Sequence, residues 1–199
     1  MKYRIFLTAA LLAGLTSFSS MFAHAQNPID EEYATPIRTY ITNNVKPWLS
    51  DPIIINSINR QNRQTSQLSE AEIIAQDEKW HAEVQSENRP FIDKILNNDL
   101  SKFLTQKQNE SDEFLLEIFV MDAKGLNVGQ SAVTSDYWQG DEAKWLNTFP
   151  KGPNTIFIED IKIDESTLTF QSQASLSIAD PKTGKTIGAI TLGINFEKL

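Results

Sequence analysis

The hydrophobic period of this chain changes once, near Phe114, and that single change dictates two layers of different kinds. From Ile29 to Leu104 apolar residues recur at three-four spacing, the mark of helices with one buried face; from Phe114 onward they alternate, the mark of half-buried strands. Asp51-Pro52 supplies an N-cap and first turn before Ile54, Ile55 and Ile58. Ser69-Glu70-Ala71-Glu72 is a capping box that opens a helix with Ile73, Trp80 and Val84 on one face, and a third helix follows Pro90 with Ile92, Ile95, Leu96 and Phe103. Five strands are expected after that: Phe114 to Met121, an alternating run through Leu126, Val128, Gln130 and Ala132, Thr155 to Ile163, Leu168 to Ile178, and Thr186 to Phe196. Asp122-Ala-Lys-Gly125 and Asp180-Pro-Lys-Thr-Gly184 are the turns, with Gly125 taking the left-handed backbone angle of a tight hairpin. Helices followed by a meandering antiparallel sheet give an α+β layer.

Residues 1–25 have the form of a cleaved signal peptide: Lys2 and Arg4, an apolar core from Ile5 to Leu15, and Ala23-His24-Ala25 before the expected mature terminus at Gln26. The apolar run is shorter than the ~20 residues of a spanning helix. The remaining ~174 residues suffice for one domain. We expect residues 26–51 to form an N-terminal helical segment and 52–199 the domain proper, exported, periplasmic and without a membrane span or output domain. The sequence has 18 basic and 26 acidic residues, and loss of the leader would leave a net charge of −10. That balance disfavours nucleic acid and anionic lipid and mildly favours cations. With no cysteine and only His81 beyond the leader, thiol chemistry, disulfides and histidine-rich metal sites are excluded, and no cofactor or metal is expected.

Between the second and third strands the chain crowds Asp136, Tyr137, Trp138, Asp141, Glu142, Lys144 and Trp145 into ten residues. Aromatic faces beside charges suit a pocket for a small polar or charged molecule. Tyr137 and Trp138 would wall it, with Asp136 and Asp141 facing a cationic head group or Lys144 an anionic one. The competing reading makes Ser135 or Asp136 the cap of a short helix over Gln139 to Leu146, Asp141 and Glu142 complements to its dipole, the two aromatics a cover for the sheet edge, and Trp145 core. Ser131, Thr155, Asp160, Thr169, Gln171, Gln173 and Ser175 place polar groups in strands; each either faces water or meets a ligand, Ser131, Asp160 and Gln171 being the candidates here. His81 has no partner evident from spacing.

Three segments resemble extracytoplasmic sensor domains of the Cache or PDC type, which carry a PAS-like sheet. Phe119-Val-Met-Asp-Ala-Lys-Gly-Leu-Asn-Val is similar to their first hairpin, Thr134-Ser-Asp-Tyr-Trp-Gln-Gly-Asp-Glu to their pocket-side segment, and Ile178-Ala-Asp-Pro-Lys-Thr-Gly-Lys-Thr-Ile-Gly-Ala-Ile-Thr-Leu-Gly-Ile to their closing hairpin. The resemblance, which spans Pro52 to Leu199, implies a five-stranded antiparallel sheet with long N-terminal helices on one face and a metabolite pocket on the other. It further implies an amine, amino acid or carboxylate as ligand, and a membrane sensor protein or kinase as the partner that reads it. The chain departs from amino-acid-binding relatives in lacking an arginine followed closely by Trp-Tyr; the corresponding stretch is Glu142-Ala-Lys-Trp-Leu146. Two rival readings stand beside the sensor: an interaction module that uses residues 29–66 to hold a partner or a second copy of itself, and a hydrolase with Asp136 and Asp141 as acid and base.

Overall fold

The computed structural model describes residues 28–164 and 169–199; the expected leader at residues 1–25 and the start of the fourth expected strand at Leu168 lie outside the described residues. Helix α1 (Pro28–Tyr40) runs on through a π turn at Ile41–Val45 and a 3-10 turn at Lys46–Trp48. Its buried residues Tyr33, Ile37, Ile41 and Val45 are spaced by four, a stripe that drifts about 40° per step on an α-helix. The wider π turn takes up that drift and keeps Val45 facing inward. Helix α2 (Pro52–Thr65) begins as expected, with the Asp51 carboxylate accepting from Ile53 N at 2.8 Å. Helix α3 (Glu70–Val84) carries the complete capping box between Ser69 and Glu72.

Two expectations are corrected here. Val84 is 38% exposed, and the buried neighbour is Glu83, whose Oε2 accepts from Phe91 N at 2.7 Å and Ile92 N at 3.0 Å. The next helix starts at Pro90 after Arg89, which makes no side-chain cap, so the orphan amides of its first turn draw in a carboxylate from α3. The third expected helix is also two: α4 (Pro90–Leu96) and α5 (Asp99–Asn109). Asn98 divides them by adopting extended backbone and accepting from Ser101 N, which caps α5.

The sheet contains β1 (Leu115–Met121), β2 (Asn127–Gln130), β3 (Ile156–Ile158), β4 (Lys162–Asp164), β5 (Thr169–Ala179) and β6 (Thr186–Asn195), all antiparallel, in the order β2-β1-β6-β5-β3 with β4 also on β5. Strands β3 and β4 pair with successive parts of the same edge of β5, Leu176 to Ala174 and then Gln171 to Thr169. The strand expected over Thr155 to Ile163 is therefore one lane broken at Glu159 to Ile161. Counted by lanes the sheet has five, in the order 2-1-5-4-3, the PAS-like arrangement, and the fold is α+β.

Alternation assigns the two faces. Ile118, Val120, Ala174, Leu176, Ile178, Ile190, Leu192 and Ile194 point to one side and form the main core with α1, α2 and α5. On the other side are Glu117, Phe119 and Met121 of β1, Gln171, Gln173, Ser175 and Ser177 of β5, and Ala189, Thr191 and Gly193 of β6. This polar face is covered, not solvated: Ser175 and Thr191 are buried and share a hydrogen bond of 2.9 Å. Because β2 and β3 occupy opposite edges, residues 131–155 must cross the sheet, and Trp145 and Phe149 of that crossing pack on Phe119, Met121 and Ala189. No helix among the described residues is long and apolar enough to cross a membrane.

The β1–β2 turn is pinned by the buried Asp122 carboxylate. Oδ1 accepts from Lys124 N and Leu126 N at 2.8 and 3.0 Å; Oδ2 accepts from Thr65 Oγ1 at 2.8 Å and Gln61 Nε2 at 3.3 Å, tying the turn to α2. Gly125 has φ +82°, and a Cβ there would lie 2.5 Å from Gly140 Cα. Replacement Gly125→Ala combines left-handed strain with a backbone clash and is expected to cost about 2–4 kcal/mol, read as a fall in the urea midpoint with unchanged slope. Burial pushes the Asp122 carboxyl above its ordinary value, against its hydrogen bonds. The native state thus holds this proton more tightly than the unfolded chain does, so the contribution of Asp122 to stability is greatest below about pH 4 and declines as pH rises through the native value. Urea unfolding between pH 4 and 7 will show wild type losing stability relative to Asp122→Asn as pH rises; parallel profiles would contradict the assignment.

Candidate functional site

The crossing segment first doubles back along the outer edge of the hairpin, where Asn127 N donates to Tyr137 O and Gln139 N to Gly125 O. Helix α3 holds it there. Asp77 Oδ1 accepts from Tyr137 N at 2.8 Å and Trp138 N at 2.9 Å, and Trp80 Nε1 donates to Thr134 O at 2.9 Å. The Tyr137 ring then enters an aromatic cluster, 5.6 Å from Trp80 and 4.7 Å from Phe91. Its burial and the Asp122 carboxylate push the phenol well above its ordinary value, so it stays neutral. From Gln139 the chain turns over the sheet into α6 (Ala143–Leu146).

Between this segment and the polar face of the sheet lies a cavity of about 330 Å³. Its floor is built by register. Glu117 and Gln173 both pair with Gly193, and the absent side chain lets Gln173 Nε2 donate to Glu117 Oε1 across the middle strand at 3.1 Å; a Cβ at 193 would lie 2.7 Å from Glu117 Cγ. Gln171 extends the floor, and Phe119 closes one side. The roof comes from Val133, Thr134, Ser135, Gln139 and Lys144. Lys144 Nζ sits 5.7 Å from the centre of the Phe119 ring and has no ion pair among the described residues. Gln139 is 2% exposed; its Nε2 donates to Asp136 O, while its Oε1 has no partner. Among the described residues the cavity thus sets a buried amide oxygen without a donor beside a half-buried ammonium without an anion.

The single pocket expected from the sequence divides in two. Lys144 and Gln171 line the cavity just described. Tyr137 lines a different cleft of about 470 Å³ between α2, α4 and the hairpin, whose mouth carries Arg60 and Lys94. That cleft is larger, but its inner polar groups are committed to the fold: Gln61 Nε2 to Asp122, Leu126 O and Asn127 O, Thr65 to Asp122, Asn98 to Ser101 N and Val128 O. Trp138 lines neither cavity; its Nε1 donates to Lys124 O at 2.9 Å. Ser131 continues the hairpin ladder, its Oγ accepting from Ile118 N and its N donating to Ile118 O. Asp160 is exposed in the break between β3 and β4 and accepts from Tyr33 Oη at 3.4 Å. Asp141 is exposed.

The rival reading of the acidic residues is also corrected. Helix α6 begins at Ala143, not Gln139, and its N-cap Glu142 makes no side-chain bond, so neither Ser135 nor Asp136 caps it. Asp136 instead meets a residue that spacing left without a partner: His81 Nε2 lies 2.8 Å from Asp136 Oδ1 and 3.7 Å from Asp77 Oδ2. The hydrogen bond to Asp136 pushes the imidazole above its ordinary value. Trp145 is half-buried and stacks on Phe149 at 5.1 Å. Glu117 and Gln139 were not foreseen as site residues, although Glu117 is the one charge in the apolar run from Phe114 to Met121.

No family model and no curated protein matches this chain. Among solved structures it is similar to the sensory domain of the Campylobacter jejuni chemoreceptor Tlp3, with 13% identity over 86% of this chain and 66% of that one and a TM-score of 0.41. It is also similar to the ligand-binding domains of two Pseudomonas chemoreceptors. For PctC of P. aeruginosa, in complex with GABA, identity is 15% over 84% of this chain and 62% of that one, with a TM-score of 0.36. For CtaA of P. fluorescens, in complex with L-serine, identity is 12% over 84% and 60%, with a TM-score of 0.34. The chain thus spans less than two thirds of the length of these three structures.

Proposed function

We propose that this protein is an exported, periplasmic sensing module that binds a small carboxylate-bearing metabolite in the cavity between the polar sheet face and residues 133–144, and that a separate membrane sensor or kinase reads the bound state. The carrying observation is that Lys144 has no ion pair, and Gln139 Oε1 no donor, among the described residues, and that both stand on one cavity wall. The first asks for an anion and the second for a hydrogen-bond donor. A molecule with both, such as an amino or hydroxy acid, satisfies the two demands together, and the Glu117 carboxylate on the floor favours an ammonium over a hydroxyl as the donor. The volume sits at the low end of ligand sites and suits a metabolite of a few carbons. Lys144 stands where the resemblance places a carboxylate-binding arginine, offering a point charge in place of a bidentate fork.

Thermal unfolding against amino acids, hydroxy acids, amines and dicarboxylates at millimolar concentration tests this reading, with calorimetry on any compound that raises Tm. One carboxylate class is expected to stabilise the protein. Lys144→Ala should weaken that compound about 10- to 100-fold, the span of one hydrogen bond to a charged group, and Gln139→Leu should weaken it less. Asp141→Ala, on an exposed residue outside the cavity, should leave affinity unchanged. Absence of stabilisation by every class, or a Lys144→Ala protein that binds like wild type, would remove the proposal.

A further inference from the structure

Outside the cavity, the described residues bring one set of metal-ligating side chains together: Asp77, His81 and Asp136, each offering one ligand atom within 4.8 Å of the others. We propose that these three residues form a binding site for a first-row divalent cation of the zinc class, clamping α3 to the segment that roofs the cavity. The proposal stands apart from the small-molecule reading and does not require it.

Geometry carries it. Asp77 and His81 lie four apart on α3, hence on one face of the helix, and Asp136 approaches from the crossing segment. In a tetrahedral site with metal–ligand distances of 2.0–2.2 Å, ligand atoms stand about 3.4 Å apart. The observed separations of 2.8 Å from His81 Nε2 to Asp136 Oδ1 and 3.7 Å to Asp77 Oδ2 bracket that value. Each carboxylate is oriented by a bond to its other oxygen: Asp77 Oδ1 by the amides of Tyr137 and Trp138, Asp136 Oδ2 by Ser135 Oγ. Outer contacts of this kind fix ligand direction in metal sites. Asp77 Oδ2, at 3.7 Å from Nε2, is too far for a hydrogen bond but within reach of an ion shared with Asp136 Oδ1. A divalent cation serves both. His81 would give its Nε2 lone pair with the ring proton on Nδ1, and water would complete the shell, since the His81 side chain is 49% exposed. One imidazole with two carboxylates favours zinc, cobalt or nickel over magnesium, which takes oxygen ligands.

The test uses the untagged exported chain and zinc chloride alone, read by calorimetry and by thermal unfolding in a buffer that does not chelate. One zinc per chain at micromolar affinity is expected, with Tm raised and the rise reversed by EDTA, and with no response to magnesium at the same concentration. Cobalt should give visible d–d absorption of a low-symmetry site. His81→Ala, a change at an exposed position, should abolish binding while leaving the circular dichroism spectrum unchanged, and Asp136→Asn should weaken binding at least tenfold. Binding that survives His81→Ala belongs elsewhere and overturns the proposal. So does a wild-type protein that takes up no zinc at 1 mM, or one whose zinc stoichiometry is the same in Asp136→Asn at unchanged affinity.

Discussion

The strand order 2-1-5-4-3 is the constraint on which the rest of the molecule depends. Lanes two and three are consecutive in sequence yet sit at opposite edges, about 19 Å apart at four inter-strand spacings. The connection between them must cross one face of the sheet, and the N-terminal helices have taken the other. Residues 131–155 are enough to cross but carry few large apolar side chains, so they cover the face incompletely. Trp145 and Phe149 seal the part over Met121 and Ala189, whereas the part over Glu117, Gln171 and Gln173 is left as a polar cavity. A cavity in this place follows from topology; its chemistry follows from the residues set into the roof and floor.

The same molecule joins its elements with side chains that replace missing backbone partners. Glu83 on α3 caps α4, Asn98 caps α5 and also donates to Val128 O in β2, Asp77 on α3 accepts from two amides of the crossing segment, and Asp122 pins the hairpin to α2. Three of these four are carboxylates accepting from amides or neutral donors, with no cation as the principal partner. Hydrogen bonds to charged groups contribute about 1.5–3 kcal/mol each, more than exposed ion pairs such as Arg89–Asp93, so Glu83 and Asp77 are structural acids, whereas the buried Asp122 contributes most when its carboxyl holds a proton.

How much of this was legible follows from the range of each interaction. The helix starts at Asp51-Pro52 and Ser69, the hairpin at Gly125, the turn at Asp180 and the alternation of the long strand are local signals, and they hold. Asn98 was a local signal too: Asn-Asp-Leu-Ser is a cap that breaks the apolar stripe from Ile92 to Phe103 in two. Glu83 was not, because its role depends on Phe91 N returning to α3 around a bend. Tyr137 and Trp138 beside carboxylates read as pocket walls; only packing against Trp80 and Phe91, more than 40 residues away, turns Tyr137 into core. His81 reads from spacing as a residue without a partner: Asp77, four residues earlier, makes only a 3.7 Å approach, and the close contact, Asp136, required the crossing segment to be placed. Lys144 and Gln171 share a cavity because one lies on the roof and the other on the floor, a pairing no spacing rule contains.

The charge of the whole chain also points away from the charge that matters. A balance of 18 basic to 26 acidic residues suggests cationic partners, yet the cavity roof presents an ammonium. Distance and dielectric decide between them. At physiological ionic strength surface charges beyond about 8 Å are largely screened. A unit charge 4 Å from a ligand in a partly buried site acts with about 4 kcal/mol at an effective dielectric near 20. One half-buried lysine facing the cavity therefore outweighs many exposed carboxylates elsewhere, while Glu117, held by Gln173, lines the same cavity from the floor. Under the proposed reading, a zwitterion oriented from Glu117 on the floor to Lys144 in the roof would be favoured over a simple anion or cation.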